Sequence, residues 1–110
     1  MPLRQFRSIR TFENRFVYID VQLCFTIKQN STIEIREYKL IIMKAIDSLL
    51  GEIGSKIQFD IIKYRCNDCR AIIRLLARDY VKLHLCLSLL NEWNDSRCQF
   101  IIHKVCNNFH

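Results

Sequence analysis

The sequence is poor in loop-making residues, with two glycines and one proline in 110 residues. That leaves little room for long linkers. Neither G-x-G-x-x-G nor G-x-x-x-x-G-K-[ST] occurs, which excludes the usual dinucleotide and P-loop sites. Long apolar runs are also missing. Stretches such as Ile41–Met43 last a few residues, whereas a membrane-spanning helix needs about 20, so no membrane partner is expected. No carboxylate pair stands at a recognisable spacing, and the candidate bases for a cysteine nucleophile, His84 and His103, lack a legible partner. No catalytic residue, metal site or cofactor is therefore expected.

What is present is globular. Half the residues are hydrophobic and a quarter are charged, the composition of one folded domain. Seventeen Lys and Arg against eleven Asp and Glu give a net charge of +6. A basic balance on a small domain points to an acidic partner, most often nucleic acid. Ten of the seventeen cations are arginine, whose forks match phosphates and stack on bases, so the balance leans towards RNA. The plainer alternative is a solvated basic surface. Six cysteines without an apolar leader segment at the N-terminus suggest free thiols in a reducing compartment.

Residues 1–15 stand apart as a basic N-terminal arm, with Arg4, Arg7, Arg10 and Arg15 against the single acid Glu13. Such a start fits a mitochondrial presequence, an arm that orders on RNA, or an inert tail. Residues 16–110 form the single domain. From Phe16 to Ile27, Val17, Ile19, Val21, Leu23 and Phe25 alternate with Tyr18, Asp20, Gln22 and Cys24, the period of a strand with one buried face. Ser31 followed by Glu34 reads as a capping box opening a helix. Its stripe is Ile35, Tyr38, Ile42, Ala45, Ile46 and Leu49, and Gly51 and Gly54 end it.

Strands follow at Ile57–Arg65 and Arg70–Arg78, joined by a turn at Asn67-Asp68. With that turn, Arg70, Ile72, Arg74 and Leu76 share a face with Arg65, Lys63, Ile61 and Phe59. Asp60 then points inward, so a bulge is expected. Tyr80–Trp93 fits both periods, and its leucines and length favour a helix, which Asp79 can cap. Asn94-Asp95-Ser96 is a turn before a last strand at Cys98–Val105. The order β-α-β-β-α-β gives an α+β, ferredoxin-like (RRM-like) sandwich: a four-stranded antiparallel sheet in the order 4-1-3-2, with two helices on one face.

On this topology, Cys66-x-x-Cys69 and His103-x-x-Cys106 have zinc-ligand spacing but lie at opposite ends of the sheet. At about 3.3 Å per residue they are roughly 15–25 Å apart. The third strand, Arg70-Ala-Ile-Ile-Arg-Leu-Leu-Ala77, lacks the aromatics of the ribonucleoprotein motif. Contact with RNA phosphates is expected instead, through Lys63, Arg65, Arg70, Arg74 and Arg78, with Arg4, Arg7 and Arg10 of the arm. A structural Arg74–Asp60 ion pair is the competing account. Leu40 and Met43 on the first helix, and Val81 and Leu85 on the second, point away from the main stripes and suggest a protein-binding flank.

Five segments carry a resemblance to a known family: Ala45–Ile53, Phe59–Tyr64, Ala71–Leu75, Tyr80–Leu83 with Leu87–Leu90, and Cys98–Ile102. Around Gly51-Glu52, Asp60, Tyr64, Arg74 and Val81-Lys82-Leu83, they resemble the small, fourteen-kilodalton type protein subunits of ribonuclease P and ribonuclease MRP. The resemblance runs from Tyr18 to Cys106, and Gly51, Arg74 and Lys82 match fixed positions of the family. The N-terminal arm departs from its pattern.

The resemblance implies a ferredoxin-like fold without a nuclease site. The RNA subunit of the ribonucleoprotein removes the 5′ leader of precursor transfer RNA. The implied partners are the ribonuclease P or MRP RNA, a barrel-type subunit of about thirty kilodaltons and other ribonuclease P proteins. The implied location is the nucleus and nucleolus. The alternative from another class is a small metal- or effector-binding ferredoxin-like domain unrelated to RNA. A third is a mitochondrial RNA-associated protein.

Overall fold

The computed structural model describes residues 15–29 and 31–107. The expectations for the arm, including Arg4, Arg7 and Arg10, lie outside them. The elements are β1 (Phe16–Phe25), α1 (Ile35–Leu50), a short 3-10 turn (Gly51–Lys56), β2 (Phe59–Arg65), β3 (Arg70–Leu76), α2 (Ala77–Leu89), β4 (Glu92–Trp93) and β5 (Ser96–Cys106). All strand pairs are antiparallel, and the sheet order is β2-β3-β1-β5-β4. This is an α+β domain with two helices and an antiparallel sheet.

β1 lies at the centre because its period-two pattern is the cleanest in the chain. Val17, Ile19, Val21 and Leu23 are buried, and the residues between them are half-exposed. The buried face meets Ala71, Ile73 and Leu75 of β3, Cys98 and Phe100 of β5, and the apolar stripes of both helices in one core. At about 25 cal/mol per Å² of apolar surface, this shared burial is the main force closing the two layers. Tyr38 carries α1 into that core. Its ring lies 4.7 Å from Tyr64 and 5.8 Å from Phe100, and its hydroxyl donates to the Cys69 carbonyl at 2.9 Å.

Two expectations need correction. The sheet has five strands, not four. α2 covers Ala77–Leu89 rather than Tyr80–Trp93, because Leu90 leaves the helix in an extended conformation. Glu92 and Trp93 then pair with Arg97 and Ser96. Asn94 and Asp95 between them have φ of 49° and 65°, the two left-handed residues of a type I′ hairpin. Trp93 is tied to α1, its Nε1 donating to Glu37 Oε2 at 3.0 Å with Lys44 Nζ 5.3 Å from its ring.

The helix starts also differ. α1 begins at Ile35 and no side chain caps it. Ile33 is buried, and its carbonyl accepts the Tyr64 hydroxyl at 2.6 Å, which holds the approach to the helix extended. α2 begins two residues before Asp79, as β3 hands over to it and the Ala77 N–H donates to the Arg15 carbonyl. Asp79 therefore lies inside the first turn, where the helix dipole favours an acid. At the other end of α1, Gly51 takes φ +57° and its N–H donates to the Asp47 carbonyl, a stop that favours glycine.

Between β2 and β3 the register shifts at Ile62. This is the expected bulge. It puts Phe59 and Ile61 on the helix side, opposite Leu75 and Ile73, and turns Asp60 out to face Arg74.

Candidate nucleic-acid interface

Both helices cover one face of the sheet, and the other face is open among the described residues. Strand alternation fills the open face with Phe16, Tyr18, Asp20 and Gln22 from β1, Arg70, Ile72 and Arg74 from β3, and Asp60, Lys63 and Arg65 from β2. The four cations expected to meet RNA thus stand together on two neighbouring strands. Arg78 lies beyond them, exposed in the first turn of α2.

Each arginine of the group holds a carboxylate. Arg70 grips Asp20 with Nε and Nη2 at 2.9 and 3.0 Å. Arg65 grips Asp68 with Nε at 3.0 Å and Nη2 at 2.5 Å. Arg74 donates from Nη2 to Asp60 Oδ2 at 2.9 Å. The Arg70 fork holds the Asp20 carboxyl below the usual carboxylate range, and Arg65 does the same for Asp68. These anchors stay ionised at neutral pH. Exposed pairs of this kind add little stability, but two-pronged ones fix where a guanidinium points.

The cations differ in what remains free. Arg74 is as exposed as Arg70, but its guanidinium lies 4.8 Å from the Phe16 ring, Tyr18 bonds it, and its Nε is buried without a partner. Lys63 has no charged partner among the described residues. With Arg65, Arg70, Asp20, Ala71 and Ile72 it lines a cavity of about 260 Å³.

The third strand has no aromatics, as its sequence shows, but Phe16 and Tyr18 bring two to this face. They come from β1 rather than β3, and their alternation with Val17 and Ile19 was the available signal. Asp20 was visible as an outward residue, but its pairing with Arg70, 50 positions away, needs the strand register.

Leu40, Met43, Val81 and Leu85 are all exposed. The structure divides them. Val81 and Leu85 continue to Leu89 at helical spacing along α2, also exposed. Met43 instead lines a groove of about 480 Å³ with Lys39, Ile46, Gly51, Phe59 and Asp60, between α1 and β2.

The proposed zinc spacing does not gather. Among the described residues no three His, Cys, Asp or Glu side chains are placed to hold a metal. His103 is nearer the hairpin than strand counting put it. It bonds Gln22 Oε1 at 2.9 Å, and Gln22 Nε2 reaches the Asp68 carbonyl at 3.1 Å. Cys106 lies farther along β1, opposite Tyr18.

The structure is that of a small α+β domain whose open sheet face gathers Lys63, Arg65, Arg70 and Arg74. The chain belongs to the Ribonucleases P/MRP protein subunit Pop8 family, whose model matches residues 15–89. That span runs from β1 to the end of α2 and includes Lys63, Arg65, Arg70, Arg74 and Arg78 and the exposed Leu40, Met43, Val81, Leu85 and Leu89. The ribonuclease P protein subunit p14 of Mus musculus is 22% identical over 106 residues, covering 96% of this chain and 86% of that protein. The p14 subunit of Homo sapiens is 29% identical over 69 residues, 63% of this chain and 56% of its own length. A chain in the cryo-EM structure of yeast ribonuclease MRP shares the fold, with a TM-score of 0.75 at 14% identity over 86% of this chain and 75% of that one.

Proposed function

We propose that the chain is a non-catalytic protein subunit of a ribonuclease P or MRP ribonucleoprotein, supporting the catalytic RNA in removal of the 5′ leader from precursor transfer RNA. Its place in the Pop8 family carries this reading. The open face bearing Lys63, Arg65, Arg70 and Arg74 supports RNA contact, and the exposed stripe Val81–Leu85–Leu89 supports a protein partner. The arm arginines Arg4, Arg7 and Arg10 add to the RNA contact. The larger barrel-type subunit is the proposed protein partner, and the nucleus and nucleolus the proposed location. We read the architecture as ferredoxin-like, since β5-β1-β3-β2 repeats the 4-1-3-2 order and β4 is a two-residue addition. The metal-binding alternative has no observation in its favour.

The test is affinity purification of the full chain from its own cells, followed by identification of the RNA and proteins that come with it. Recovery of a ribonuclease P or MRP RNA with its protein subunits is expected. Recovery of neither overturns the reading. Highly purified chain alone is expected to leave precursor transfer RNA intact. Cleavage abolished by a single substitution in this chain would show that it is an enzyme after all.

A further inference from the structure

We propose that the cavity between Lys63, Arg65 and Arg70 is a built seat for one phosphodiester group of RNA, with Asp20 and Asp68 as its positioning residues. This rests on the reading of the open sheet face as the RNA interface and narrows it to one subsite.

The donor count carries the argument. A guanidinium has five N–H donors. Arg70 spends its Nε edge on Asp20 and Arg65 spends the same edge on Asp68. Each arginine keeps both Nη1 hydrogens and one on Nη2 unused among the described residues. Lys63 keeps three ammonium donors, having no hydrogen bond or ion pair there. All three side chains line the same cavity, floored by Ala71 and Ile72. Its volume of about 260 Å³ lies below the roughly 300–1,000 Å³ of sites for whole small molecules. It suits a phosphate with part of its sugar.

The formal charges are three cations against two carboxylates, so the seat stays positive by one after both pairs are formed. The carboxylates cost some positive charge, but they prevent two long side chains from folding away or straightening into solvent. A pre-set fork loses less freedom when it binds than a loose one. Arg74 lacks these features. It has one carboxylate bond, its guanidinium lies against Phe16, and its Nε is buried. It belongs to the sheet, whereas Arg70 and Arg65 belong to the seat.

The prediction that separates a seat from a merely basic surface concerns Asp20→Asn. Removing a negative charge from a diffuse basic face strengthens RNA binding. Removing the anchor of Arg70 weakens it, although the face becomes more positive. Full-length chain is titrated with a fluorescent single-stranded RNA of twelve uridines bearing a 5′-hydroxyl, at several salt concentrations. Loss of one charge-assisted contact corresponds to roughly tenfold or more in affinity. Arg70→Lys, which keeps the charge and loses the fork, and Lys63→Ala should each weaken binding by about that factor. Asp20→Asn should also weaken it. Arg70→Lys keeps the charge that a diffuse basic face would sense and loses only the fork, so it keeps the test valid if Asp20→Asn fails to fold: unchanged affinity in Arg70→Lys would overturn the seat.

If Asp20→Asn folds and binds more tightly while Lys63→Ala and Arg70→Ala bind less, the face binds RNA without a seat, and the proposal falls while the interface reading stands. If neither Lys63→Ala nor Arg70→Ala changes affinity, the interface reading falls with it. Two further arms identify the source of the phosphate. A 5′-phosphorylated oligonucleotide that binds far more tightly, or millimolar inorganic phosphate that displaces the RNA, would assign the cavity to a terminal or free phosphate and overturn the phosphodiester assignment. Equal binding of both oligonucleotides and no displacement are expected.

Discussion

Asp60 and Arg74 face each other across the bulged β2–β3 pair, with Arg74 Nη2 2.9 Å from Asp60 Oδ2. Their side chains are 62% and 38% exposed, so solvent screens the pair and its own contribution is small. Arg74 also lies over the Phe16 ring at 4.8 Å, a cation–π contact between two half-exposed side chains. Arg74→Ala is therefore expected to lower the melting temperature by a few degrees, and Phe16→Ala to do the same. Thermal unfolding of both single variants and the double variant should show less than the sum, because the two substitutions remove one shared contact. Additive losses would separate the two residues.

Of the two glycines expected to end α1, only Gly51 does so, and Gly54 lies in the 3-10 turn beyond it; the two are required for different reasons. At Gly51 an added Cβ meets nothing, but φ is +57° with ψ −131°, so Gly51→Ala acts through backbone strain and should cost about 1–3 kcal/mol. At Gly54 an added Cβ collides with Ile46 Cγ2, so Gly54→Ala acts by overpacking and should cost about 1–3 kcal/mol. Ile46→Leu removes the branch at Cβ. It should recover part of the Gly54→Ala loss and none of the Gly51→Ala loss, measured by denaturant unfolding.

Local patterns made much of this fold legible. The period-two run from Val17 to Leu23 carries its own evidence, and the position of Asp60 implied a bulge before any register was known. What escaped depended on residues far apart in sequence. β4 is only two residues long and is held by the left-handed Asn94-Asp95 turn and by Trp93 reaching Glu37, 56 positions earlier. The Ser31–Glu34 box failed because the helix starts at Ile35, with Glu34 itself at the N-cap in an extended conformation, and Tyr64 holds the extended Ile33 before it from across the fold. The cations of the open face were legible as a group, and Asp60 was legible as a partner for Arg74, but Asp20 and Asp68 were not legible as partners of Arg70 and Arg65, and it is the pairing that separates these arginines from the unpaired Lys63.

Alkaline pH should expose a second dependence. Tyr38 and Tyr64 are pushed well above the ordinary tyrosine value, first by burial and then by neighbouring thiols and hydroxyls. Above about pH 10 the unfolded chain loses these protons while the folded chain keeps them. The unfolded state then binds fewer protons, so stability is intact below that pH and falls as pH rises beyond it. Of the four tyrosines, Tyr38 and Tyr64 should ionise only on unfolding, seen as a late step in tyrosinate absorbance that coincides with loss of helix. Tyr64→Phe should remove one of the two late protons and cost about 1 kcal/mol through the lost bond to Ile33.

The apolar stripe of α2 should matter more for assembly than for folding. Val81 is 72% exposed, and Leu85 and Leu89 follow it one and two turns on. Leu85 is outside the buried core and half-exposed, so Leu85→Asp should lower the melting temperature by only a few degrees. Co-purification of protein partners should drop sharply, because a charge placed in an apolar contact is costly to desolvate. Met43→Asp tests the groove beside β2 separately. If Leu85→Asp leaves assembly intact and Met43→Asp disrupts it, the partner lies over α1 and β2 instead.

The salt dependence of RNA binding measures how many backbone contacts the open face makes. Each neutralised phosphate releases counterions, and on single strands the slope of log affinity against log salt is about −0.7 per contact. Lys63 and Arg70 both line the cavity and both keep free donors. The double change Lys63→Ala with Arg70→Ala should therefore flatten the slope by about 1.4, with nearly equal losses on all RNA sequences. Arg74→Ala should leave the slope almost unchanged, since its guanidinium already faces Asp60 and Phe16. The double variant, Arg74→Ala and the single Lys63→Ala together distinguish a contact from a charge. If Arg74→Ala flattens the slope as much as Lys63→Ala does, every cation on the face contributes alike and the carboxylate pairing has no bearing on RNA. If the double variant folds and keeps the parental slope, the RNA is held elsewhere on the chain.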